Sequence, residues 1–231
     1  MIKKLILLLL ICFSIQIKNY PHLTSSEIEN YVNDSSVYLI DSRFQEESIK
    51  EYIPNSLIVS FQINFNEFIT NLIEKDSKIV IISTKELYKK TLLILEKLNY
   101  KNILGYIYIN EYKGKKTKIE NKVLDKKNIN KLNYEYQLID VREEKEYEDI
   151  GIIENSTLIP LSVFKDNLNK INKNLDIYII CSTGFRAQAI ITYLIRKGYN
   201  KDRLFNIIGG ISNLKIRGIK LKKIRNRKND L

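Results

Sequence analysis

The segment Cys181-Ser182-Thr183-Gly184-Phe185-Arg186 is the part of this chain best suited to covalent chemistry. It joins a short apolar run ending at Ile180 to an amphipathic stretch, so its cysteine falls where a strand gives way to a helix. Unpaired N–H groups and the positive end of the helix dipole face such a position. Gly184 lets a short loop curl with its amides inward, as an anion-binding nest does. Arg186 adds a permanent positive charge. Each feature favours thiolate over thiol, and the thiolate is the nucleophilic form of cysteine. The commoner use of a cysteine is as a small buried hydrophobe; this one's place in the pattern argues for function instead.

Composition narrows the alternatives. The chain has 231 residues, 44% of them hydrophobic and 28% charged, which suits a globular fold and not a disordered one. It holds a single histidine, His22, so triads and two-histidine metal sites lack their central residue. Two cysteines, Cys12 and Cys181, supply neither a disulfide framework nor a cysteine-rich zinc site.

The elements that must position the loop are legible in the apolar pattern. Tyr136–Val141, Leu158–Pro160, Ile177–Cys181 and Leu204–Ile208 read as strands, apolar on both faces as in a parallel sheet covered by helices. Val163–Ile171 and Arg186–Lys197 read as helices. The second has a stripe of Ala187, Ile190, Ile191, Leu194 and Ile195, with Gly198 where a C-terminal cap belongs. Strand alternating with helix predicts an α/β fold with right-handed crossovers, whose ligands bind beyond the carboxyl ends of the strands.

The chain also repeats itself. Val37–Arg43 matches Tyr136–Arg142, Ile53–Ile58 matches Ile153–Ile159, and Lys78–Ser83 matches Asp176–Cys181, at a near-constant spacing that marks one duplicated domain. The first half keeps Asp41, Arg43, Ile53, Pro54, Asn55 and Ser56, but Ser83-Thr84-Lys85-Glu86-Leu87-Tyr88 stands at the loop position, without thiol or glycine. Features common to both halves are expected to keep the fold. Asp140 and Arg142, which match Asp41 and Arg43, are therefore expected to orient backbone groups at the end of the sheet.

On these residues the chain resembles a tandem rhodanese, a protein with two sulfurtransferase-type domains. The second half carries Asp140-Val141-Arg142-Glu143, Gly151-Ile152-Ile153-Glu154-Asn155-Ser156 and Ile159-Pro160-Leu161. The loop Cys181–Arg186 with Ala187 follows, and Gly209-Gly210-Ile211 precedes Leu214 and Gly218. Ile152, Glu154 and Leu214 depart from the family, which usually has histidine, proline and tryptophan there. The resemblance implies two parallel-sheet domains, the second catalytic and the first a non-catalytic partner. It implies that Cys181 takes a sulfane sulfur from a donor such as thiosulfate, holds it as a persulfide, and gives it to cyanide or a thiol, including a protein thiol. The amides of Ser182, Thr183, Gly184, Phe185 and Arg186 would stabilise that persulfide, and the Arg186 guanidinium would bind the donor's oxyanion. No cofactor and no metal are implied. The alternative is an exported persulfide carrier or sulfur-binding module with little turnover of its own. Phosphoryl transfer on the related fold uses five residues between cysteine and arginine, whereas here there are four.

The remaining organisation follows from charge and hydropathy. Two lysines followed by the apolar run Leu5–Ile11 predict a signal peptide or membrane anchor over residues 1–20, and hence an exported or membrane-anchored protein. That means periplasm or cell envelope in a bacterium and the secretory route in a eukaryote. Residues 21–112 and 132–221 are the two domains, 113–131 a basic, Asn-rich linker and 222–231 a basic tail. The formal net charge is +11, but no aromatic residues are interleaved with the charges of the tail, and no nucleic-acid partner is expected.

Overall fold

The computed structural model describes residues 18–61, 64–124, 129 and 135–224. The expected signal or anchor segment through residue 17, Cys12 with it, and the tail from residue 225 onward lie outside the described residues.

Two parallel sheets carry the chain. The first contains β1 (Val37–Asp41), β2 (Ser56–Ile58), β3 (Lys78–Ser83) and β4 (Ile103–Tyr108) in the order β2-β1-β3-β4. The second contains β5 (Glu120–Lys122), β6 (Tyr136–Asp140), β7 (Thr157–Leu158), β8 (Asp176–Ile180) and β9 (Leu204–Ile207) in the order β5-β9-β8-β6-β7. Read from the other edge, the second sheet repeats the first with β5 added beyond β9. The registers repeat as well: Asp41 pairs with Ile58 and Ile82, and Asp140 pairs with Leu158 and Ile180. Helices cover the sheets: α1 (Ser25–Val32), α2 (Gln45–Ser48), α3 (Phe65–Leu72) and α4 (Lys85–Lys97) in the first half, then α5 (Glu144–Ile150), α6 (Phe185–Arg196) and α7 (Gly210–Ile216). Buried Leu39, Ile40, Val80, Ile81, Leu138, Ile139 and Ile179 fill both faces of the central strands, as parallel strands between helices require.

Two expectations need correction. Part of the stretch expected as a linker is sheet: Glu120–Lys122 pair with Phe205–Ile207, and Ile119 and Leu124 on either side are buried. An edge strand needs only a partner for its backbone, so its charged side chains concealed it. The helix expected over Val163–Ile171 is a run of 3-10 turns, Leu161–Lys170, interrupted at Asn167 with φ −118° and ψ 21°. Asp166, Asn167 and Asn169 offer the backbone competing hydrogen bonds, and the segment buries only Leu161 and Phe164.

Helix α6, which follows the cysteine loop, is wedged between the halves. Every residue from Ala187 through Leu194 is buried, so the expected single stripe became a helix buried almost all round. Its Thr192 hydroxyl accepts from the Ile58 amide at 3.1 Å. Arg196 donates to the carbonyls of Asn55 (2.8 Å), Ser35 (3.1 Å) and Val37 (2.9 Å) and lies 4.2 Å from the centre of the Tyr38 ring. Ile190, Ile191 and Leu194 share one hydrophobic cluster with Ile40, Leu57 and Phe68, each buried aliphatic side chain contributing about 1.5–3 kcal/mol. The helix closes at Gly198, as expected, with the Tyr199 amide returning to the Leu194 carbonyl.

Candidate active site

Cys181 follows the last residue of β8 directly, and four residues later α6 begins. Gly184 makes the turn with φ +100° and ψ −10°, and its amide donates to the Cys181 sulfur at 3.0 Å. The left-handed conformation is what glycine supplies here, because a β-carbon would strain it. The sulfur lies at the floor of the loop, with Cys181 only 1% exposed. Thr183 is exposed at the rim, and Ser182, Phe185 and Arg186 are half-buried.

The sequence placed the amides of all five loop residues around the sulfur; the hydrogen bond seen in the structure comes from Gly184. The Arg186 guanidinium, expected to bind the donor's oxyanion, makes a two-pronged ion pair with Glu146 of α5, at 2.5 Å and 2.6 Å, and donates to the Ser182 hydroxyl at 2.8 Å. Ser182 in turn donates to Glu146 at 2.5 Å. Burial opposes ionisation of Glu146, but hydrogen bonds from Arg186, Ser182 and the Glu143 amide, with the Arg186 charge, hold its carboxyl down at about 2. Burial likewise opposes the charge of Arg186, yet its hydrogen bond to Glu146 and the nearby charge of Cys181 hold it above its ordinary value.

Asp140 and Arg142 form a buried ion pair at the end of β6. Arg142 donates to Asp140 from its amide, from Nη2 and from Nε, which reaches both carboxylate oxygens, and both residues are fully buried. The same guanidinium reaches the carbonyls of Gly151 at 2.8 Å and Glu146 at 3.4 Å. Arg43 repeats this arrangement on Asp41 and the Glu51 carbonyl. In the second half the pair therefore sets the seat of α5, which carries Glu146.

Two further contributors escaped the sequence reading. The amides of Ile211 and Ser212 in α7 donate to the carbonyls of Cys181 (2.9 Å) and Ser182 (3.1 Å), clamping the loop from its far side. Gly210 permits this approach: at φ +54°, a β-carbon would stand 2.2 Å from the Cys181 carbonyl oxygen. Asn206 of β9 packs beside Gly184 and donates to Asn121 of β5 at 2.9 Å, so the added strand supports the loop.

At the matching place in the first half, Ser83 is fully buried and accepts from the Ser42 hydroxyl at 3.0 Å, which itself accepts from the Thr91 hydroxyl at 2.8 Å. A cleft of about 690 Å³, lined by Arg43, Glu47, Lys85, Glu86, Tyr108 and Glu111, opens at the carboxyl end of that sheet. His22 also belongs to this half, paired with Glu111 at 2.7 Å.

Comparison with known proteins bears on the second half. Residues 123–216 match the rhodanese-like domain family. A Bacillus subtilis protein whose name assigns it to sulfur carriage, YrkF, is 34% identical over 74 residues, 32% of this chain and 38% of that protein. A sulfurtransferase of Allochromatium vinosum is 31% identical over 74 residues, 32% of this chain and 66% of that one. The matches thus span less than two thirds of either relative. Among solved structures, a rhodanese-like domain protein from Staphylococcus aureus is 33% identical with a TM-score of 0.34, covering 42% of this chain and 90% of that one. With the family match and these sequence relatives, residues 123–216, which hold the cysteine loop between β8 and α6, form a rhodanese-like domain.

Proposed function

We propose that Cys181 is the nucleophile of a sulfurtransferase, taking a sulfane sulfur from a donor such as thiosulfate and passing it to cyanide or a thiol. Sulfur transfer as the reaction class is supported by the rhodanese-like domain and by relatives named for sulfurtransfer and sulfur carriage. The observation that carries the reading is the Gly184 amide donating to the Cys181 sulfur at 3.0 Å where strand meets helix. An N–H aimed at the sulfur stabilises the thiolate before attack and the persulfide after it. In the first step the thiolate attacks the outer sulfur of the donor, which leaves as sulfite when the donor is thiosulfate. In the second, a thiophile attacks the terminal sulfur and restores the thiolate.

In this reading residues 21–112 form an inactive rhodanese-like domain that buttresses α6, and export or anchoring by the amino terminus places the reaction outside the cytoplasm. The test is intact-mass measurement after incubation with thiosulfate and with a small-molecule hydropersulfide. The wild type and Ser83→Ala are expected to gain the mass of one sulfur atom, and Cys181→Ser to gain none. A wild type that gains no mass with either donor overturns the proposal.

A second reading, a persulfide carrier that loads once and waits for a partner, is favoured by the depth of the sulfur, 1% exposed. Steady-state turnover with thiosulfate and cyanide separates the two: repeated turnover identifies the enzyme, a single loading event the carrier.

A further inference from the structure

The charges around the sulfur select among donors. Between Cys181 and Arg186 the loop contributes Ser182, Thr183, Gly184 and Phe185, none of them charged. The loop's cation is engaged: both terminal nitrogens of Arg186 bind Glu146, and one also binds Ser182. Glu143 at the start of α5 holds the Ser162 amide and hydroxyl, and its negative charge reaches Arg186 as well. Arg142 beneath α5 is consumed by Asp140, and Lys222 is paired with Glu154. The segment that clamps the loop from the other side, Gly209 to Ser212, carries no charge. With the sulfur ionised, thiolate, guanidinium and carboxylate together leave an excess of negative charge, and Glu143 adds to it.

We propose that this site selects a hydropersulfide donor whose organic group is uncharged or cationic, over a dianionic oxyanion donor such as thiosulfate, and that Glu146 sets the preference by neutralising Arg186. The proposal rests on the sulfur-transfer reading and names its donor class. The Cys181 thiolate attacks the terminal sulfur of R–S–S–H. The new bond to Cys181 forms as the donor's S–S bond breaks; its electron pair leaves on R–S, which takes the proton as R–SH, and Cys181 is left as the persulfide anion. No oxidant or reductant is consumed. A dianion brought to the same sulfur meets the repulsion of that excess charge, which the engaged Arg186 does not offset.

The test holds the chemistry constant and varies charge alone. Freshly generated hydropersulfides of 2-aminoethanethiol (cationic), 2-mercaptoethanol (neutral) and 3-mercaptopropionate (anionic) are supplied at pH 7 and low salt, and loading of Cys181 is followed by intact mass. The wild-type rate constant is expected to fall about three- to tenfold for each unit of added negative charge, the range for a like charge several ångströms away in a water-accessible site. In Glu146→Gln, where Arg186 is released, the series is expected to flatten or reverse. Should that variant fail to fold, 1 M salt applied to the wild type is expected to compress the series by screening. Equal rates across the wild-type series, or faster loading by the anionic member, overturn the proposal while leaving sulfur transfer intact. Loading by none of the three overturns the sulfur-transfer reading beneath it.

Discussion

The Glu146–Arg186 pair makes a prediction that needs no substrate. Folding brings the Glu146 carboxyl from an ordinary 4.5 down to about 2. A group whose folded value is depressed stabilises the fold above its unfolded value and loses that contribution as pH falls toward the folded one. The shift corresponds to about 3 kcal/mol at pH 7, an upper bound because the side chain keeps 28% of its exposure. The same linkage leaves the contribution essentially whole at pH 6, about 1 kcal/mol at pH 3, and little below pH 2. Glu146→Gln keeps the shape and one acceptor but removes the titration. Urea unfolding of wild type and variant at pH 7, 5 and 3 should therefore show a gap of about 2–3 kcal/mol at pH 7 that narrows to about 1 kcal/mol at pH 3. Other carboxylates titrate in both proteins and drop out of the difference. A gap that stays constant from pH 7 to pH 3 would refute the reasoning, because it would mean that the pair does not depend on the charge of Glu146.

Gly210→Ala is expected to cost about 3–5 kcal/mol. A left-handed φ accounts for about 1–2 kcal/mol, and displacing the loop from the Ile211 and Ser212 amides for the rest. Urea unfolding measures the loss and iodoacetamide alkylation of Cys181 should change with it; a loss under about 1 kcal/mol with unaltered alkylation would show that α7 does not clamp the loop. Arg196→Ala removes three charge-assisted bonds to first-half carbonyls and the contact with Tyr38, an expected loss of about 2–4 kcal/mol by urea unfolding. A change below about 0.5 kcal/mol would mean that the halves hold together without it.

The sheets and the cysteine loop were readable because their signals are local. Four-residue apolar runs, a glycine after a cysteine and a repeat at fixed spacing each survive without knowledge of what lies nearby in space. What the sequence concealed depends on partners distant along the chain. β5 is recognised only by the backbone of β9, and α6 reads as one-sided until the first half covers its other face with Ile58, Asn55 and Tyr38. The same blindness hid the partner of Arg186, whose positive charge was legible but whose carboxylate stands 40 residues earlier.

Glu146 shows why comparing the two halves was not enough. It stands six residues after Asp140, and Glu47 stands six after Asp41, so a rule that assigns common features to the fold would file both glutamates as structural. Their surroundings separate them. Tyr88 occupies the place of Arg186 in the first half, and Glu47 is exposed at the edge of the cleft; in the second half Glu146 is half-buried and takes two bonds from Arg186 and one from Ser182. One inherited carboxylate thus has different physics according to whether a cation stands opposite it. The signal that could have found Glu146 is a demand rather than a motif: an arginine packed at the base of a short, otherwise uncharged loop must be neutralised by something, and α5 offers the acids within reach. Duplicated sequence identifies which residues were kept, but the role of each is set by the partner that the fold brings to it.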